Sequence, residues 1–196
     1  MTKSANRNTD RSRLFNKMRG LIVVTGPRGA GKTRLLLKLI EAARQAHWTV
    51  CGLLSPARVE NSEKFGFDVI DVRSGTRRPL ASRISGQLNG PQLGHWTFDG
   101  QALTWGNALL AQTPPCGLFV LDELGPLEFN RGQGWTAGLD FLAKPGACRL
   151  AVVVVRPEYV ETFERRCPGA EIVTVNEPAA IDGLAKRLAE RYWKQP

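Results

Sequence analysis

The sequence is poor in side chains that bind structural metals or cross-link a chain. It has four cysteines, Cys51, Cys116, Cys148 and Cys167, with no C-x-x-C pair among them, and two histidines in 196 residues. This pattern argues against a zinc site and against a disulfide framework. A chain of this length buries roughly 70% of its unfolded surface without such staples. We therefore expect one self-sufficient domain with reduced thiols, as in a cytoplasmic protein.

Long apolar stretches are also absent. The longest apolar runs have the length of a β-strand, whereas a membrane-spanning helix needs about 20 predominantly apolar residues. The sequence therefore predicts no membrane partner.

The positive charge is concentrated near the start of the chain. The net charge is +9, but residues 1–19 alone hold six of the 27 basic side chains and one of the 18 acidic ones. We expect residues 1–19 to be a basic, disordered leader in front of a domain at 20–196. Two alternatives stay open for the leader, an arm that binds nucleic acid or a protein partner, and a targeting peptide. It lacks the apolar segment of an ordinary secretory signal.

One segment has the pattern of a phosphate-binding loop, G-x-x-x-x-G-K-[ST], and consists of Gly26, Pro27, Arg28, Gly29, Ala30, Gly31, Lys32 and Thr33. Glycines let successive backbone N–H groups turn onto phosphate oxygens, and a following helix adds the positive end of its dipole. We expect Lys32 to contact the β- and γ-phosphates and Thr33 to bind Mg²⁺. Arg34 completes the predicted nucleotide-binding segment.

The context of this loop matches a P-loop, because an apolar run at 21–25 precedes it and a helical pattern at 32–47 follows it. Strand and helix patterns then alternate to the end of the chain, which indicates an α/β fold. We expect a single P-loop NTPase domain with a mostly parallel central sheet flanked by helices. Two strand patterns, at 49–54 and 66–72, with a turn at 61–64 between them predict a hairpin-like insertion after the second strand.

A second motif supplies candidate acidic groups. The apolar run 118–121 ends in Asp122 and Glu123. Ligands of open α/β sheets bind at the carboxyl ends of the strands, so both side chains should lie beside the P-loop. We expect Asp122 to order Mg²⁺ through water, and Glu123 to orient or deprotonate an attacking water.

The charge that develops on a transferring phosphoryl group needs a cation besides Lys32. The glycine-rich stretch 73–100 offers Arg77, Arg78 and Arg83, and Arg156 follows the β-branched run 152–155. We select Arg77 as the first candidate and keep the others as alternatives.

Two missing motifs narrow the class of protein. No Asn-Lys-x-Asp segment follows Asp122, which disfavours a standard small GTPase, and no arginine-rich lid for an acceptor nucleotide is evident. The leading hypothesis is Mg²⁺-dependent hydrolysis of ATP or GTP. A small-molecule or nucleotide kinase, and a nucleotide-gated adaptor or maturation factor with slow hydrolysis, remain alternatives.

The chain resembles the small P-loop nucleoside-triphosphatases often labelled cancer-related nucleoside-triphosphatase. Four stretches between about residues 20 and 190 carry the resemblance: 26–33, 65–80, 122–128 with its Asp-Glu-x-Gly-x-x-Glu pattern, and 152–155 with the helix after it. The resemblance implies a slow, Mg²⁺-dependent hydrolase of broad nucleotide range. It also supports Lys32, Thr33, Asp122 and Glu123 as site residues, and it draws attention to Arg77 and Glu128.

Overall fold

The computed structural model describes residues 20–143 and 148–193. The predictions for the basic leader, residues 1–19, lie outside the described residues. Ten strands of one sheet occupy this part of the chain. They are β1 (Gly20–Thr25), β2 (Val50–Leu54), β3 (Ala57–Glu60), β4 (Glu63–Asp71), β5 (Arg77–Ser82), β6 (Gln92–Leu93), β7 (Trp96–Phe98), β8 (Cys116–Leu124), β9 (Cys148–Val155) and β10 (Glu171–Thr174).

Helices connect and flank these strands. The described α-helices are α1 (Lys32–Gln45), α2 (Gly100–Ala111), α3 (Pro126–Arg131), α4 (Thr136–Leu142), α5 (Val160–Arg166) and α6 (Ile181–Trp193). Short 3₁₀ turns at Pro157–Tyr159 and Pro178–Ala180 lead into α5 and α6.

The sheet has a parallel half and an antiparallel half. The parallel strands follow the order β10-β1-β9-β8-β2. From β2 the sheet continues through β4, β5, β7 and β6, all antiparallel to their neighbours, and β3 pairs with β4. The predicted α/β fold is therefore confirmed. The hairpin-like insertion predicted after β2 is present, with its turn at Asn61 and Ser62. The sequence pattern missed β3, which forms the hairpin with β4, and β5, β6 and β7 enlarge the insertion.

Both faces of β1, β2, β8 and β9 are buried, which explains the continuous apolar sequences of these strands. In β1, Ile22 and Val24 face a cluster with α1 and α6, whereas Leu21 and Val23 face a cluster with α2, α4 and α5. The result is a sheet between two helical layers. Its carboxyl edge carries the P-loop after β1 and the acidic pair of β8.

Local sequence signals set some of the element boundaries. Asp99 caps α2, because its side chain accepts a hydrogen bond from the Ala102 N–H. The sequence pattern near the end of the chain predicts a helix over 177–192 capped by Asn176, and the structure differs from it. Instead Pro178 and its neighbours form a 3₁₀ turn, and α6 begins at Ile181. No described helix is long and apolar enough to span a membrane.

Candidate functional site

The loop after β1 folds tightly against the neighbouring segment. Gly26 has a φ of 136°, and a Cβ placed there would lie 2.0 Å from the backbone oxygen of Val175. Only glycine fits this position, because the left-handed conformation and the close approach both exclude a side chain. Gly31 is the N-cap of α1, and a glycine has no side chain that could cap the helix. The first N–H groups of α1 are therefore free to bind an anion.

Lys32 lies over the loop that precedes it. Its Nζ donates hydrogen bonds to the backbone oxygens of Gly26 and Pro27, and each bond is 2.7 Å long. Burial lowers the pKa of Lys32, and the charges of Glu123 and Asp122 oppose this effect. The ammonium group is thus held at the loop, where it faces both carboxylates.

Asp122 is a buried carboxylate near the end of β8, with 2% of its surface exposed. Its Oδ2 accepts a hydrogen bond from the Ser55 N–H over 3.1 Å, and the Thr33 hydroxyl also hydrogen-bonds it. Burial raises the pKa of Asp122 to about 6, and these hydrogen bonds partly offset the rise. The pairing with Thr33 joins the P-loop helix to β8.

The residues around Asp122 fit a magnesium ion held mainly by substrate. Mg²⁺ in nucleotide sites is bound through one or two protein oxygens, water and phosphates. Thr33 and Asp122 supply that donor set, and the buried Ser55 hydroxyl beside them has no hydrogen-bond partner among the described residues. Within residues 20–143 and 148–193, no cluster of three or more acidic, histidine or cysteine side chains could hold a metal by itself.

Glu123 lies on a bulge. Leu121 is opposite Val153 and Leu124 is opposite Val155, so β8 has one more residue than β9 between these pairs. Glu123 has a φ of 64°, an uncommon backbone angle for a residue other than glycine. Strain of this kind concentrates at functional sites and costs about 1–3 kcal/mol.

Arg156, directly after β9, pairs with Glu123. Its Nε donates a hydrogen bond of 2.9 Å to Oε1 of Glu123. Both side chains are half-buried, and both line the cavity that contains the P-loop. The structure therefore brings together Lys32, Thr33, Asp122, Glu123 and Arg156.

The other predicted arginines are directed elsewhere. Arg77 Nε lies 2.6 Å from Oδ2 of Asp68, and its side chain is outside the cavity lining. Arg78 lies over the ring of Trp105, and Arg83 pairs with Glu63.

Within the predicted nucleotide-binding segment, two arginines differ in placement. Arg28 lines the cavity, whereas the Arg34 side chain pairs with Asp182 of α6 over 3.4 Å. The loop lines the cavity through Arg28, Gly29, Gly31, Lys32 and Thr33.

Glu128 supports the segment that follows Glu123. Its two carboxylate oxygens accept hydrogen bonds from the N–H groups of Gly125 and Trp135, and each bond is 2.8 Å long. Burial raises the pKa of Glu128 to about 7, and the two backbone donors oppose that rise. The carboxylate thereby fixes both ends of the segment that contains α3.

The cavity has a volume of about 280 Å³. One end is the P-loop with Asp122 and Glu123, and the other extends between β4, β5, β7 and α2. Ser55, which follows β2, joins the site through the pairing of β2 with β8 and was not among the predicted site residues. No motif marks Ser55, because only the strand order places it beside Asp122.

Solved structures share this fold. The crystal structure of THEP1 from Aquifex aeolicus superposes with a TM-score of 0.66 at 16% identity, covering 88% of this chain and 98% of that one. The solution structure of a human cancer-related nucleoside triphosphatase gives a TM-score of 0.63 at 20% identity, with 86% and 97% covered. At these identities the similarity shows the fold.

Sequence relatives extend over most of the chain. The nucleoside-triphosphatase THEP1 of Ignicoccus hospitalis is 28% identical over 174 residues, which are 89% of this chain and 92% of that protein. The protein of the same name from Pyrobaculum calidifontis is 31% identical over 153 residues, 78% of this chain and 82% of its own. A family profile described as NTPase matches residues 21–179. On this match the resemblance found in the sequence is confirmed, and the chain belongs to the NTPase family.

Proposed function

We propose that this protein hydrolyses nucleoside 5′-triphosphates, ATP and GTP among them, to the diphosphate and phosphate in a Mg²⁺-dependent reaction. The observation that carries the proposal is the placement of Glu123 and Arg156 at 2.9 Å in the cavity that the P-loop lines. A candidate base and a candidate cation thus lie where a γ-phosphate would reach. Relatives named nucleoside-triphosphatase support the same activity.

The P-loop binds the phosphates in this proposal. Free N–H groups at the start of α1 and in the glycine-rich loop donate hydrogen bonds to the phosphate oxygens. Lys32 exchanges its bonds to Gly26 and Pro27 for bonds to the β- and γ-phosphates. Thr33 and Asp122 would hold Mg²⁺, which neutralises phosphate charge when bound.

Glu123 is the proposed base. Its carboxylate orients a water in line with the γ-phosphorus and takes the water's proton as the new P–O bond forms. The bond from the γ-phosphorus to the bridging oxygen breaks, and its electron pair stays with the diphosphate. The bulge of β8 supports this role because it turns Glu123 out of the regular strand, toward Arg156.

Arg156 is the proposed transition-state cation, in place of our first candidate, Arg77. Arg77 is held by Asp68 outside the cavity, whereas Arg156 lines it and lies next to Glu123. A preorganised cation in a site that excludes water is worth far more than one on the surface. Binding of the γ-phosphate would draw Arg156 away and release Glu123 to accept a proton.

A broad nucleotide range is part of the proposal. It rests on the absence of a guanine-reading Asn-Lys-x-Asp segment from the sequence and on a phosphate cradle built from backbone groups and Lys32. Backbone contacts to phosphate carry no information about the base.

A phosphate-release assay with ATP, GTP, CTP and UTP, each with and without Mg²⁺, tests this function. Lys32→Ala is the blank. We expect Mg²⁺-dependent release from more than one nucleotide by the wild type and none above background by the variant. Absence of release from all four nucleotides would contradict hydrolysis.

A further inference from the structure

The far end of the cavity is an aromatic chamber that hydrolysis by water does not require. We define the chamber by six cavity-lining residues, Phe67, Leu80, Trp96, Phe98, Leu103 and Trp135. Phe67 and Trp96 pack edge to face with ring centroids 4.8 Å apart. Flat faces and apolar walls of this kind suit a ring system.

The chamber lies on the γ-phosphate side of the site. Four of its residues belong to β4, β5 and β7, which are separated from β1 by β9, β8 and β2. In the proposed binding mode the phosphate chain would begin at the P-loop after β1, with its γ end beside Asp122 and Glu123. The base would then lie at the opposite end of that chain, which would leave the chamber available to another molecule.

Polar groups occur where the chamber meets the phosphate site. Glu123 and Arg156 line that junction, and Lys64 lines the same cavity with its Nζ 4.9 Å from the Phe67 ring centroid. The Lys64 charge adds a small contribution to the lowered pKa of Lys32. A ligand that fits has a flat, neutral ring at one end and hydroxyl groups at the other, and a nucleoside combines these two parts.

We propose that the aromatic chamber binds a nucleoside as a second substrate and that the γ-phosphoryl group is transferred to a hydroxyl of its sugar. This inference rests on the proposed nucleotide binding at the P-loop. The hydroxyl oxygen attacks the γ-phosphorus, and the bond to the bridging oxygen breaks with its electron pair on the nucleoside diphosphate. The hydroxyl proton passes to Glu123. The sugar hydroxyl thus takes the place of water as the nucleophile.

The test incubates the protein with Mg²⁺ and γ-labelled ATP, in the presence of adenosine, guanosine, cytidine or uridine in turn. Label is measured separately in nucleoside monophosphate and in free phosphate. We expect one or more of these nucleosides to receive label faster than phosphate is released. If none of the four receives label while phosphate release continues, the acceptor proposal is wrong and hydrolysis stands. If neither product forms, the proposed function fails as well.

Three variants test the location of the acceptor. Ala57 is an exposed residue of β3 that lines the cavity, so Ala57→Phe adds bulk without disturbing a core. Trp96→Ala removes a wall instead. Each should lower the ratio of transfer to phosphate release by about tenfold or more. Val59→Phe, on the same strand and outside the cavity lining, should leave the ratio unchanged.

The KM for ATP distinguishes an acceptor in the chamber from the base of ATP in the chamber. If the chamber holds the acceptor, Ala57→Phe and Trp96→Ala leave the KM for ATP close to that of the wild type. If both variants raise the KM for ATP in parallel with any loss of transfer, the chamber holds the base of ATP and the proposal is overturned.

Discussion

Arg156 donates a hydrogen bond of 2.9 Å from its Nε–H to Oε1 of Glu123, and this contact connects the ends of two adjacent strands. The pair neutralises both charges at the cavity. A γ-phosphate is a stronger partner for a guanidinium group, because its oxygens carry more charge. We infer that nucleotide binding separates the pair and prepares both residues for their proposed roles.

The first prediction distinguishes the two arginine candidates. Arg156→Ala should lower kcat for phosphate release by about 10²- to 10³-fold, as expected for loss of a preorganised transition-state partner. Arg77→Ala removes an ion pair with Asp68 whose arginine is more than half exposed, and such pairs contribute about 0–1 kcal/mol to stability. Steady-state kinetics of both variants decide the assignment. An equal loss in both, or a loss only in Arg77→Ala, would contradict it.

The second prediction concerns the P-loop lysine. Lys32→Ala should reduce hydrolysis by more than about 10²-fold and weaken nucleotide binding, because the β- and γ-phosphates lose their main positive partner. Lys38→Ala is the matched control, since Lys38 lies on the same helix but pairs with the exposed Asp182. Fluorescent-nucleotide titration and phosphate release measure both effects. Retained turnover in Lys32→Ala would place the phosphates elsewhere.

The third prediction addresses the metal. Asp122→Asn should raise the Mg²⁺ concentration needed for half-maximal activity by about 10- to 100-fold, the usual effect of losing an outer-sphere carboxylate. Asp140→Asn is the control, because Asp140 pairs with Arg166 at the surface. Titration of activity with Mg²⁺ after removal of divalent ions by EDTA gives the value. An unchanged midpoint in Asp122→Asn would remove Asp122 from the metal site.

The fourth prediction uses the buried Glu128. Its pKa is raised to about 7 by burial, above the ordinary value of 4.5, so the folded state binds a proton that the unfolded state releases. The stabilisation from this group is complete below pH 4.5 and is lost as the pH rises through 7, by about 3 kcal/mol in total.

Glu128→Gln provides the comparison, because the amide does not titrate. Both proteins are unfolded with urea at pH 4.5 and at pH 8. The unfolding free energy of the wild type, relative to that of the variant, should fall as the pH rises. A difference in unfolding free energy that is the same at both pH values would show that Glu128 has an ordinary pKa in the folded protein.

Sequence patterns predicted the parts of the fold that local chemistry dictates. The P-loop, the flanking β1 and α1, and the apolar strand that ends at Asp122 are each encoded in consecutive residues. The family resemblance also drew attention to Glu128, whose two backbone hydrogen bonds the structure reveals. Strand order was not predictable in detail, because the neighbours of β8 are set by packing across the whole sheet.

The remaining site features depend on long-range pairing. Arg156 reaches Glu123 only because β9 lies between β1 and β8, and only because β8 carries an extra residue at its end. Arg77 has the residue type of a phosphate ligand, but the pairing of β4 with β5 places it beside Asp68. The segment before α6 differs from the predicted helix for a local reason, since Pro178 begins a 3₁₀ turn there.

If Glu123 activates the water that attacks the γ-phosphate, Glu123→Gln should slow phosphate release without weakening nucleotide binding. Single-turnover phosphate release and nucleotide affinity are measured on the same preparation. We predict a rate lowered by about 10²- to 10⁴-fold, as for removal of a general base, with nucleotide binding retained. Release at the wild-type rate by Glu123→Gln would contradict this account.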